Sequence, residues 1–205
     1  MMRKELPYFD IENSYGGNQK WFSSLWMRMG GCAAETACDS SIYLAIYKGK
    51  TALYPYDAKH LTRKEYVEFS KLMRPYLKPR LSGIDRLDIY QEGLGKYLRD
   101  RGEKKLQLLP WEGTQDLAAT KTVIKFQLGR GYPVPCLILN HANKQFANYE
   151  WHWFLLTGYE ETSGSFLVKA VTYGTWEWLD LTGLWDTGRT KKGGLIIFKE
   201  EDTGV

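Results

Sequence analysis

The sequence has few cysteines and histidines and no long apolar run. Three cysteines in 205 residues are an odd number, so a disulfide framework is not expected, and free thiols fit a reducing compartment. No stretch approaches the ~20 apolar residues that span a bilayer. The charged start, Met1–Pro7, is not followed by the apolar segment of a secretory signal. The sequence therefore predicts a cytoplasmic protein without membrane attachment.

A strongly basic region is also missing. The formal net charge is +4, and the most basic segments, Arg189–Lys192 and Lys104–Lys105, are short enough to be solvated surface. Nucleic acid is therefore not an expected partner. Aromatic residues, in contrast, make up 15% of the chain, which indicates broad stacked surfaces in a core or along a binding groove.

The apolar pattern predicts one α+β domain over residues 1–205, with a helical part at about 30–130 and a β part at about 131–200. A largely apolar helix from Cys32 to about Tyr47 is expected to be central, after an ordered loop over residues 1–29. Three amphipathic helices are predicted at 62–79, 86–101 and 114–128, and strands of an antiparallel sheet at 133–139, 151–159, 166–171, 176–181 and 195–198.

Cys32 is the candidate nucleophile. It follows the pair Gly30-Gly31 and opens the predicted central helix. At a helix N-terminus, free amides and the helix dipole favour the thiolate, which is the reactive form. Cys38 and Cys136 lie inside a helix and a strand, where small apolar thiols pack well, so both are expected in the core.

His152 is the candidate base among three histidines. It stands within an apolar strand pattern, on the same face as Phe154 and Leu156, where a strand fixes the ring and bulky neighbours limit water. A core histidine satisfied by the backbone remains the alternative. His141 is expected at the surface in a polar loop, and His60 precedes a helix cap. These residues do not have metal-ligand spacing, so neither a metal nor another cofactor is expected.

Two motifs carry a resemblance to a known family. Gly31-Cys32-Ala33-Ala34 and, about 120 residues later, His152-Trp153-Phe154-Leu155-Leu156-Thr157-Gly158-Tyr159 resemble motifs of the papain-like cysteine peptidase superfamily, most closely the bacterial peptidase C39-like group. The resemblance implies a papain-like fold, in which the central N-terminal helix carrying the cysteine packs on a C-terminal antiparallel sheet carrying the histidine.

The resemblance also implies two further site residues, and both depart from the family pattern. The oxyanion glutamine is usually six residues before the cysteine, where this chain has Trp26; Gln19 is the nearest glutamine, and an exposed polar role for it stays open. The residue that orients the histidine is usually Asn or Asp, but the corresponding stretch offers Thr172. Asp180 is a reserve candidate. Thr172 can form one hydrogen bond with the ring but supplies no charge.

The expected function is that of a cysteine peptidase or related amide hydrolase with a Cys32–His152 dyad, acting through an acyl-enzyme on a peptide or amide substrate. Two alternatives remain: an acyltransferase of the same fold, and a catalytically impaired papain-like domain that binds a peptide or protein partner.

Overall fold

The structure is a computed structural model, and it describes residues 1–80 and 83–201. The predicted domain range of 1–205 therefore includes residues 81–82 and 202–205, which lie outside the described residues. In chain order, the helices are α1 Leu25–Gly30, α2 Cys32–Tyr47, α3 Arg63–Met73, α4 Leu87–Asp100, α5 Leu117–Gly129 and α6 Leu181–Trp185. The strands are β1 Met2–Glu5, β2 Asp10–Ile11, β3 Ser14–Tyr15, β4 Leu106–Glu112, β5 Val134–Ile138, β6 His152–Glu161, β7 Phe166–Thr172, β8 Thr175–Asp180 and β9 Gly194–Glu200.

One large antiparallel sheet organises these elements. Its strands follow the order β4-β9-β5-β6-β7-β8, and β1 pairs with the far half of β6, beyond the part that pairs with β5. A small separate hairpin joins β2 and β3. The chain thus has an α+β fold. None of the helices in residues 1–80 and 83–201 has both the length and the apolar character needed to cross a lipid bilayer.

Helix α2 is the centre of the core. All fourteen residues from Cys32 to Ala45 are buried, because the helix is small or apolar over most of its surface and packs against β6 on one side and α3 on another. The predicted span of this helix is confirmed. The helix ends at Tyr47, two residues before Gly49, whose φ of +67° lies in the left-handed region that favours glycine.

Local capping sets the limits of two other helices. The Thr62 side chain accepts a hydrogen bond from the amide of Glu65 at 3.2 Å and donates to the Glu65 carboxylate at 2.9 Å, which confirms the predicted cap of α3. Asp116 caps α5 by accepting from the amide of Ala119 at 2.9 Å. Thr114, the predicted start of that helix, therefore lies before the cap.

Four strands, β1 to β4, lie in parts of the chain that were predicted to lack them, and β1 and β4 join the large sheet. β1 pairs with β6 through residues 2–5, which were predicted as loop. β4 lies within the predicted helical part and pairs with β9 along its whole length. All residues of β1 are exposed, and β4 contains Pro110. Both sequences lack the apolar alternation of a central strand, and proline is tolerated mainly in edge strands.

Candidate active site

Cys32 is the first residue of α2, directly after Gly30 ends α1. Gly31 lies between the two helices, where an added Cβ atom would be 2.2 Å from the carbonyl oxygen of Met27. Only glycine therefore allows this close turn from one helix into the next. The turn places the Cys32 side chain at the N-terminus of the buried helix, with 6% of the residue exposed.

The groups around the Cys32 thiol shift its pKa in opposite directions. Burial raises the pKa of Cys32 to about 11, and the nearby Glu35 adds to this effect, while the amides of Trp153, Ala33 and Cys32 itself lower the pKa. The cost of burying a thiolate thus outweighs the helix N-terminus. The amides of Ala33 and Cys32 at the start of the helix do lower the pKa of the thiol, as expected, but burial has the larger effect and raises the pKa overall.

His152 begins β6, and its ring is held from two sides. Nε2 lies 2.7 Å from Oγ1 of Thr172, and the ring of Tyr173 stacks on the imidazole with centroids 4.8 Å apart. The partner is thus a side-chain hydroxyl rather than the backbone carbonyl of a purely structural histidine. Burial lowers the pKa of His152 to about 4, so the ring is neutral at pH 7 and able to accept a proton.

Cys32, His152 and Gln19 line one cavity of about 520 Å³. The backbone N–H of Trp153, the residue after His152 in the chain, also acts on the thiol, because it lowers the pKa of Cys32. In residues 1–80 and 83–201, no hydrogen bond joins the sulfur to the His152 ring. Because Nε2 is occupied by Thr172, Nδ1 is the ring nitrogen left for the cavity.

Gln19 is buried at 3% exposure rather than exposed. It lies in the short 3-10 turn Gln19–Trp21. Its Nε2 donates to the carbonyl oxygen of Arg28 at 2.9 Å, which leaves the second hydrogen of this amide nitrogen for another acceptor. Its Oε1 is buried without a hydrogen-bond partner among the described residues. The side chain is therefore fixed at one end of the cavity.

Glu35 is a site residue that the sequence interpretation missed. Its Oε2 accepts the backbone N–H of Gln19 at 3.0 Å, and its Oε1 accepts the backbone N–H of Tyr173 at 2.9 Å. One buried carboxyl group therefore connects the Gln19 turn to the turn that follows Thr172. Burial and the neighbouring Asp39 raise the pKa of Glu35 to about 8, although both amide donors lower it.

Asp39 repeats this arrangement one helical turn later. Its carboxylate accepts the backbone N–H of Gly17 at 3.0 Å and the hydroxyl groups of Tyr66 and Tyr8 at 2.8 and 2.9 Å. Positions 35 and 39 lie three and seven residues after Cys32, on the same side of the helix. Two carboxylates on one side of a small-residue helix are the signal in the sequence that points to this role.

The remaining candidates lie outside the cavity. Cys38 and Cys136 are buried in the core, as predicted. The prediction of a surface position for His141 is wrong: it is buried, its Nε2 lies 3.0 Å from the carbonyl oxygen of Gly183, and its Nδ1 accepts the Asn143 amide. Asp180 caps α6 through the Gly183 amide at 2.8 Å. The described ranges contain no group of three side chains suited to hold a metal ion.

In comparisons with known proteins, no family model, no curated protein and no solved structure matches this chain. The chemical interpretation of the cavity therefore depends on its own residues.

Proposed function

We propose that the chain is a cysteine peptidase or related amide hydrolase of papain-like fold, with Cys32 as nucleophile and His152 as base. The observation that carries the proposal is the cavity that Cys32, His152 and Gln19 share. A thiol at a helix start, an imidazole on a facing strand and a side-chain amide at one wall are the groups that acyl transfer requires.

The resting state defines how the reaction begins. Both the thiol and the imidazole are neutral at pH 7, since burial raises the pKa of Cys32 to about 11 and lowers that of His152 to about 4. Proton transfer therefore accompanies attack. As the sulfur–carbon bond forms, the thiol proton passes to Nδ1 of His152 and the carbonyl electron pair moves to the oxygen.

The later steps use the same groups. The tetrahedral intermediate collapses, the carbon–nitrogen bond breaks, and the His152 proton passes to the departing amine. Water then attacks the thioester on Cys32, giving its proton to His152, and the thiol is restored as the acid is released. In the proposed mechanism, the Gln19 amide and the Cys32 backbone N–H stabilise the oxyanion, and the Thr172 hydroxyl keeps Nδ1 directed to the cavity.

One observation favours a second function. No hydrogen bond connects Cys32 with His152 within the described residues, and both groups are neutral. This arrangement also fits a catalytically impaired domain that uses the cavity to bind a peptide or protein partner. An acyltransferase would use the same residues, with an amine in place of water as the second nucleophile.

Peptide cleavage tests the proposal. A mixture of synthetic 14-residue peptides that covers all pairs of neighbouring residues is incubated with the wild-type protein, and the products are identified by mass spectrometry. We expect cleavage that is lost in Cys32→Ala and His152→Ala and retained in Cys38→Ala, which removes a buried thiol from the same helix. Transfer to added hydroxylamine or glycine amide would identify an acyltransferase. Binding of peptides without cleavage or transfer would favour the impaired domain.

A further inference from the structure

A second, smaller pocket adjoins the cavity of Cys32. It has a volume of about 270 Å³, and the two cavities share Trp26 and Arg80 as walls. Its apolar surface comes from Trp26, Met27 and Pro79. A pocket of about this volume has room for one or two amino-acid side chains, and it adjoins the cavity that Cys32 lines.

The charge of this pocket is uniform. Arg74, Lys78 and Arg80 line it, and none of the aspartates or glutamates in residues 1–80 and 83–201 does. All three cations are exposed, and none has a carboxylate within ion-pair distance among the residues that the structure describes. In a chain with nearly balanced charges, three unpaired cations around one concavity favour an anionic group there.

An exposed apolar surface borders the same pocket. Trp26 is 60% exposed and Met29 is 72% exposed, and both also line the Cys32 cavity. Large apolar side chains exposed side by side are typical of a binding surface. The apolar surface and the cations together fit a ligand that carries both an acidic group and a large apolar group.

We infer that this pocket binds an acidic side chain of the polypeptide substrate, while Trp26 and Met29 contact a large apolar side chain close to the cleaved amide. This inference rests on the proposed function, since it places the acidic residue within a few residues of the bond that Cys32 attacks. An anionic membrane surface would satisfy the same charges. However, a concave pocket that shares its walls with the Cys32 cavity fits single side chains better than a broad lipid surface.

Binding to a protein that cannot react tests the subsite apart from catalysis. The full-length Cys32→Ala protein is titrated into a fluorescein-labelled peptide, Gly-Ser-Gly-Phe-Glu-Glu-Gly-Ser-Gly, and into its Phe-Gln-Gln counterpart, and anisotropy is measured. We expect the acidic peptide to bind about tenfold more tightly at low salt. We expect this preference to shrink as the salt concentration rises.

Matched variants locate the binding. Changing Arg74, Lys78 and Arg80 to glutamine in the Cys32→Ala protein should remove the preference. Changing the exposed residues Lys64, Lys104 and Lys199 to glutamine alters the net charge equally and should retain it. Because all of these side chains are exposed, the variants should fold, and circular dichroism checks this. Trp26→Ala should weaken binding of both peptides.

Three outcomes would overturn the inference. The two peptides could bind equally, or neither could bind. The preference for the acidic peptide could also be lost in the control variant of Lys64, Lys104 and Lys199 as well as in the variant of the three pocket cations. Sedimentation with vesicles of phosphatidylcholine and phosphatidylglycerol at 3:1 adds a fourth. Vesicle binding that depends on Arg74, Lys78 and Arg80, without peptide preference, would assign the surface to a membrane. If the wild-type protein cleaves no peptide in the mixture, that result would instead contradict the proposed peptidase function, whatever the binding result.

Discussion

The buried carboxyl group of Glu35 provides the most quantitative prediction. Replacing Glu35 with glutamine keeps the size of the side chain but exchanges one acceptor oxygen for an amide nitrogen. Since the two oxygens accept the amides of Gln19 and Tyr173 at 3.0 and 2.9 Å, glutamine can satisfy only one of them. The other N–H then faces an NH₂ group in a buried position.

The magnitude follows from the number of amides that lose an acceptor. One buried N–H without a partner costs about 1–3 kcal/mol. At pH 4.5 the carboxyl group is protonated, but its hydroxyl oxygen can still accept an N–H, so we expect Glu35→Gln to lower the free energy of unfolding by that amount at this pH. Glu35→Ala leaves both amides unpaired and should cost about 2–6 kcal/mol on the same basis. Ser41→Ala is the matched control, because this hydroxyl lies buried on the same helix without a hydrogen-bond partner and its removal should cost almost nothing.

The loss should also depend on pH. The pKa of Glu35 is raised from its ordinary value of 4.5 to about 8 in the folded protein, so between these values the folded state binds more protons than the unfolded state. Its stabilising contribution is therefore complete below pH 4.5 and decreases as the pH rises to 8. The difference between the wild-type protein and Glu35→Gln should be largest near pH 4.5 and smallest near pH 8.

Urea denaturation followed by tryptophan fluorescence, at several pH values between 4.5 and 8.5, measures both effects. Asp39, whose pKa burial raises to about 6, also raises the pKa of Glu35, so the pH dependence of the difference includes the interaction between the two carboxyl groups. The reasoning fails if Glu35→Gln is as stable as Ser41→Ala at pH 4.5. It also fails if the difference between wild type and Glu35→Gln does not change with pH.

Two further predictions concern the groups around Cys32 and His152. Thr172→Val removes the hydroxyl that lies 2.7 Å from Nε2 of His152, and we expect it to lower kcat/KM for a cleaved peptide about fivefold. Thr172→Ser keeps a hydroxyl and should retain activity. Equal activity of the two variants would exclude this hydrogen bond from the mechanism. Gly31→Ala places a Cβ atom 2.2 Å from the Met27 carbonyl oxygen and should lower the free energy of unfolding by about 1–3 kcal/mol. In Gly30→Ala the nearest atom lies 3.4 Å from the new Cβ, so this control should lose little stability. Thermal unfolding compares the two variants, and equal stability would contradict the close turn at Gly31.

The elements defined by local signals could be predicted from the sequence. Gly31 and Gly49 mark the limits of α2, and the Thr62–Glu65 pair marks the start of α3. The apolar runs of β5 and β6 are also clear. β1 and β4 were not predictable in the same way, because their pairing depends on partners more than 80 residues away and their own side chains are largely exposed.

In the candidate site, too, the features with local sequence signals could be predicted, and those that depend on distant parts of the chain could not. The motifs indicated Cys32 and His152, but their protonation states depend on burial, which outweighs the helix N-terminus at Cys32. His141 looked exposed because its neighbours are polar, yet Gly183 covers it from a distant helix. Glu35 was not identified from the sequence, because its role depends on the amides of two separate turns, which only the fold brings to its carboxyl group.

The alkylation rate of Cys32 tests most directly whether Cys32 and His152 act together. Iodoacetamide is added at pH 7 to the wild-type protein and to His152→Ala, and peptide mapping by mass spectrometry quantifies each cysteine. Cys38 and Cys136 serve as buried internal references. If Nδ1 accepts the thiol proton, Cys32 should react about 100-fold faster in the wild-type protein than in His152→Ala. Equal rates in the two proteins would contradict a Cys32–His152 dyad.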